Sequence, residues 1–120
     1  MTAFVEVKTA ELIGAALDWA IGKFVGHVEI DDELGVVSDM SHNITGKWSP
    51  STDWSQCGPL IEKYNIGLAP IVRGWGAGID ETDLAYGDCQ CGETPLIAAC
   101  RAIVAAKRGD TVSVPKELIP

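Results

Sequence analysis

The sequence predicts an α+β fold: two main helices and a shorter one packed on a largely antiparallel sheet, in a single compact domain over residues 1–120. Three observations carry that expectation. Broad apolar stripes recur at helical spacing from Thr9 to Phe24 and from Thr94 to Gly109. Short β-branched runs, bounded by turn residues, lie before, between and after those stripes. A chain of 120 residues that is 47% hydrophobic, with four Trp, is long enough to bury a genuine core.

Phe4-Val-Glu-Val7 alternates in part and reads as a strand. Thr9 is placed to cap a helix of about four turns reaching Phe24, with Leu12, Ala16, Trp19, Ala20 and Lys23 along one side. Gly26 follows as its stop, and Gly14 and Gly22 point to close packing. Val28-Glu-Ile30 and Leu34-Gly-Val-Val37 are two strands joined by the acidic Asp31-Asp32-Glu33, which reads as a solvated turn because it lacks the ligand spacing of a calcium loop. Residues 38–53 form a long polar loop of the kind that often carries function. A short helix is expected from Gly58 to Tyr64, with Pro59 in its first turn. Ile66 to Val72 then reads as an edge or bulged strand because of Pro70, and Arg73-Gly-Trp-Gly-Ala-Gly78 as a hairpin or bulged strand. Those glycines lack the following helix of a dinucleotide fingerprint. Residues 79–91 are acidic, with Leu84-Ala-Tyr86 a candidate closing strand. Thr94 to Gly109 is the clearest helix: Thr94 caps, Pro95 opens it, Lys107 and Arg108 suit its negative end, and Gly109 ends it. Thr111-Val-Ser-Val114 is the last strand, ended by Pro115.

Charge and cysteine usage narrow the function classes. Nine basic against seventeen acidic residues give a net charge of −8, which opposes binding to nucleic acid through many phosphate contacts. No apolar run is long enough to span a bilayer, and the first residues lack a basic signal region, so a cytoplasmic location without membrane attachment is expected. Cys57, Cys89, Cys91 and Cys100 read as small, partly buried hydrophobes. The Cys-x-Cys gap does not match common zinc knuckles, and His27 and His42 lack ligand spacing, so neither metal nor cofactor is expected; a zinc site stays a minority alternative. No Ser, His and acid set points to nucleophilic catalysis, and no catalytic residue is assigned.

Three blocks are informative together. Thr9-Ala-Glu-Leu-Ile-Gly-Ala-Ala-Leu-Asp-Trp-Ala20, Trp48-Ser-Pro-Ser-Thr-Asp-Trp-Ser-Gln-Cys-Gly-Pro-Leu-Ile61 and Thr94-Pro-Leu-Ile-Ala-Ala-Cys-Arg-Ala-Ile-Val-Ala-Ala-Lys-Arg-Gly-Asp110 resemble, in order and spacing, the NinX-like family of small lambdoid-phage proteins, a domain of unknown function. The stretch from Arg73 to Cys91 has no such likeness and is a place for specificity of its own. The resemblance implies a small cytoplasmic protein made during phage infection and implies no reaction.

The candidate binding residues gather at two junctions that lead into helices, where unpaired N–H groups favour anions. Trp48 and Trp54 could stack a nucleobase or pack as core and rim residues, and Ser51 and Thr52 sit between them. Asp53 could accept from a ribose hydroxyl or cap the following turn. Arg73 beside Trp75 suits phosphate recognition or is a solvated hairpin charge. Thr94 caps its helix and could hold a phosphate there, and Arg101 lies two turns along, placed for an anion or for an acid of the protein. The function expected from these residues is a phage accessory protein of counter-defence type. It would sequester a small anionic nucleotide-type immune signal without catalysis, in a pocket shared within a homo-oligomer. The alternative is an acidic adaptor that binds a host or phage protein.

Overall fold

A computed structural model of the chain describes residues 3–41, 44–79 and 89–119. It is an α+β fold in which, among the described residues, three helices pack with antiparallel strands. The strands divide among three small sheets: β1 (Phe4–Lys8) with β7 (Thr111–Pro115), β2 (Glu29–Asp31) with β3 (Gly35–Val37), and β4 (Gly67–Ile71), β5 (Gly74–Gly78) and β6 (Gln90–Gly92) in that order. The helices are α1 (Gly14–Val25), α2 (Trp54–Lys63) and α3 (Pro95–Arg108).

Helix α3 is central. Its Leu96, Ala98, Ala99, Cys100, Ala102, Ile103 and Val104 are buried between the β4–β5–β6 sheet, α1 and α2. Thr94 Oγ1 accepts from the Ile97 amide at 3.2 Å, Pro95 opens the helix, and Gly109 ends it with a φ of 83°, a region that favours glycine. The chain can therefore turn sharply out of α3 into β7.

Thr9 does not cap α1. It sits in a 3-10 turn (Thr9–Glu11), Leu12 and Ile13 are extended, and the helix begins only at Gly14. The buried Thr9 instead ties the two ends of the chain: its hydroxyl donates to the Gly109 carbonyl at 2.7 Å and its amide to the Asp110 carbonyl at 2.8 Å. These bonds continue the β1–β7 ladder, in which Phe4 lies opposite Pro115 and Lys8 opposite Thr111. Gly22 meets the expectation of close packing, since a Cβ there would lie 2.8 Å from the Val28 Cβ and 3.2 Å from the Trp48 Nε1. Gly14 does not, since a Cβ there would meet nothing within 4 Å, and its φ of 61° is what favours glycine.

Helix α2 begins four residues before the expected Gly58. Asp53 is its cap, and Pro59 lies inside it. The proline leaves the Ser55 carbonyl without its intrahelical donor, but Ser55 is exposed and water can supply one. Strand β6 was not read from the sequence, and the candidate strand Leu84-Ala-Tyr86 lies outside the described residues, as does His42.

Candidate functional site

The polar junction before α2 is a brace. Trp48 is 3% exposed, so it is a core residue with no face open to a ligand, and its indole N–H donates to the Asp18 carbonyl at 3.0 Å. Ser51 is equally buried and its amide donates to the Asp18 carboxylate at 2.8 Å. Gln56 closes the turn: its carbonyl oxygen accepts from the Ser49 amide at 2.6 Å and its amide donates to the Lys47 carbonyl at 2.9 Å. Burial pushes the Asp18 carboxyl up to about 6, against the opposing pull of the Ser51 amide and the Lys47 charge. Asp53 Oδ1 accepts from the Ser55 amide at 2.9 Å and from its hydroxyl at 2.6 Å, as a cap does. Thr52 is exposed, and so is Trp54, at 56%.

The other expected residues lie apart from this brace. Arg73 occupies the exposed turn between β4 and β5, and Trp75 is half-buried opposite Pro70 in β4 and Gly92 in β6. Thr94 spends its hydroxyl on the cap of α3. Arg101 clamps backbone, with Nε donating to the Leu12 carbonyl at 2.8 Å and Nη1 to the Cys91 carbonyl at 2.7 Å. Cys57 and Cys100 meet in the core with their sulfurs 3.8 Å apart. No group of three or more metal-ligating side chains converges among the described residues.

None of the expected binding residues lines any of three prominent clefts on the described surface. A cleft of about 440 Å³ between β5 and α3 is walled largely by alanines and glycine, with Asp110 at its edge. One of about 460 Å³ beside Phe4 carries Glu29, Asp32 and Glu117, a lining that repels anions. The chemistry that suits an anion is in the remaining cleft, of about 330 Å³, between α1 and β7.

That cleft is built from elements already described. Trp19 and Lys23, one turn apart on α1, share a face, and the Lys23 ammonium lies 5.5 Å from the centre of the Trp19 ring. Arg108 comes from the last residue of α3. Strand β7 forms the other wall along Thr111, Val112 and Ser113, of which Val112 packs towards the core and its two neighbours are exposed. Ala20 completes the lining. Among the described residues neither Lys23 nor Arg108 has a carboxylate within ion-pair distance. The tie from Thr9 to Gly109 and Asp110 fixes the corner that sets Arg108 beside Thr111.

Trp19 and Lys23 were read from the sequence as part of a sheet-facing stripe, and Arg108 as the complement of a helix end. The signal that could have found them is a Trp and a Lys four residues apart near one helix terminus, matched with Lys-Arg-Gly-Asp running into an alternating Thr-Val-Ser-Val strand.

No helix among the described residues is long and apolar enough to cross a membrane. No curated protein matches the chain. The family model described as Bacteriophage P22, NinX matches residues 8–107, which include α1, the brace, the central sheet and nearly all of α3, and the chain belongs to that family of bacteriophage proteins.

Proposed function

We propose that this phage protein binds a small anionic, nucleotide-type ligand in the cleft between α1 and β7 and holds it without transforming it. The observation that carries the reading is the convergence of Lys23, Arg108 and the Trp19 ring on one cleft of about 330 Å³ in a protein of net charge −8. Two cations suit a phosphate, and the indole of the same cleft suits a base. A volume of this size lies at the small end of ligand pockets, so a second copy of the chain would have to cover a larger ligand. In an infected bacterium such binding would withdraw a nucleotide immune signal from its receptor, a counter-defence role.

Calorimetric titration against cyclic dinucleotides and cyclic or linear ADP-ribose derivatives tests the reading, with the bound ligand analysed afterwards. Tight binding, recovery of the intact ligand and loss of affinity in Lys23→Ala/Arg108→Ala are expected. Unchanged affinity in that double variant would overturn the site, and a chemically altered ligand would make the protein an enzyme. Absence of binding across the panel would favour the adaptor reading, which the exposed Trp54 at the start of α2 supports.

A further inference from the structure

Lys23 and Arg108 are two of four cations gathered at the same end of the molecule. Tyr64, the residue that ends α2, has the Lys63 ammonium 5.5 Å and the Lys107 ammonium 5.1 Å from its ring centre. Phe24 of α1 meets the Tyr64 ring edge-on, with centroids 6.5 Å apart. The C-terminal ends of α1, α2 and α3 therefore contribute Lys23, Lys63 and the Lys107–Arg108 pair to one region, four of the chain's nine basic residues.

Complementing the negative helix ends accounts for a cation on each helix. Attraction to the ring accounts for each ammonium singly, and neither effect accounts for four cations collected in one region of a protein of net charge −8. Among the described residues, neither Lys63 nor Lys107 has a carboxylate within ion-pair distance. An anion shared by both would balance charges that no carboxylate of the described residues balances.

We infer that Lys63, Lys107 and the Tyr64 ring form a second phosphate subsite beside the Trp19 cleft. The ligand would then carry two separated phosphoryl groups on a nucleoside framework. This rests on the proposed function above and narrows its ligand class. Two phosphates so arranged occur in a free bisphosphorylated nucleotide and in a stretch of single-stranded nucleic acid.

NMR titration distinguishes these sources, with the Trp19 indole and the Tyr64 ring as separate reporters. The probes are adenosine 5′-monophosphate, adenosine 3′,5′-bisphosphate and a short oligothymidylate. The bisphosphate is expected to bind about tenfold more tightly than the monophosphate and to shift both reporters. Lys63→Gln/Lys107→Gln keeps the aliphatic stems over the ring and should abolish that margin while leaving monophosphate affinity unchanged. An oligothymidylate that binds more tightly than the bisphosphate, with the same dependence on Lys63 and Lys107, would support the subsite and assign its phosphates to a single strand. Equal affinity for the two nucleotides, with monophosphate binding lost in Lys23→Ala/Arg108→Ala, would overturn the second subsite and leave the first standing. Binding of none of the three probes would overturn both.

Discussion

The brace at residues 48–56 and the cleft on a neighbouring face of α1 use similar residues to opposite effect. Both contain tryptophan, hydroxyls and charge. In the brace, the Trp48 indole donates to the Asp18 carbonyl, the Ser51 amide to the Asp18 carboxylate and the Ser49 amide to the Gln56 side chain, so these bonds hold α1 against the loop that enters α2. In the cleft, Lys23 and Arg108 are exposed beside the half-buried Trp19, with no acidic partner among the described residues. A buried polar group must be paired to be tolerated, whereas an exposed cation retains its capacity for a ligand. Residue type alone does not separate the two cases; burial and pairing do.

The largest expected effect that would break this contrast is in the brace. Trp48→Ala removes a buried ring and leaves the Asp18 carbonyl short of a donor, and it should cost about 3–5 kcal/mol in denaturant unfolding. Near-wild-type stability with lost ligand binding would return Trp48 to the binding site.

Asp18 gives the next effect, through pH. Its folded-state pKa of about 6 lies above the 3.8 of an ordinary aspartate, so the folded protein holds this proton over a range where the unfolded chain has released it. The Asp18 contribution to stability is fully present below about pH 4 and is lost as pH rises through about 6, to the extent of about 3 kcal/mol at most. Asp18→Asn keeps an acceptor for the Ser51 amide and should flatten that slope between pH 4 and 7. An unchanged slope in thermal or denaturant unfolding would show that Asp18 stays solvated.

Smaller effects follow. Asp53→Ala should cost about 1 kcal/mol through loss of the α2 cap and leave ligand affinity as it was, which distinguishes a cap from a ribose acceptor. Lys23→Ala and Arg108→Ala should each change stability by no more than about 0.5 kcal/mol while weakening binding of the anionic ligand. A large loss of stability in either would identify it as a structural charge and erase the contrast with the brace.

The legible parts of the fold were those written in local chemistry. Helix α3 shows its cap, its proline, its apolar stripe and its terminal glycine within sixteen consecutive residues, Thr94–Gly109, and the structure keeps them all. The Asp31–Glu33 turn and the β4–β5 hairpin are local in the same way. Thr9 misled because its partners, Gly109 and Asp110, lie a hundred residues away, and a good cap residue looks the same whether it caps or ties. Gly58-Pro59 misled because proline at a helix start is common, while Asp53 supplied the actual cap. The proposed binding surface was hidden for the same reason as Thr9. Arg108 and Thr111 are near in sequence, but Lys23 reaches them only where α1 packs on α3 and on the β7 strand held by its pairing with β1.

That pairing has a consequence for how the protein is made. Residues 4–8 are made more than a hundred residues before their partners at 111–115 and must wait for them. Closing so long a loop is entropically costly and belongs to the late, slow part of folding. The corner that carries Arg108 and Thr111 is thus among the last features to form, so a nascent or nicked chain would hold a sound helical core and no competence to bind.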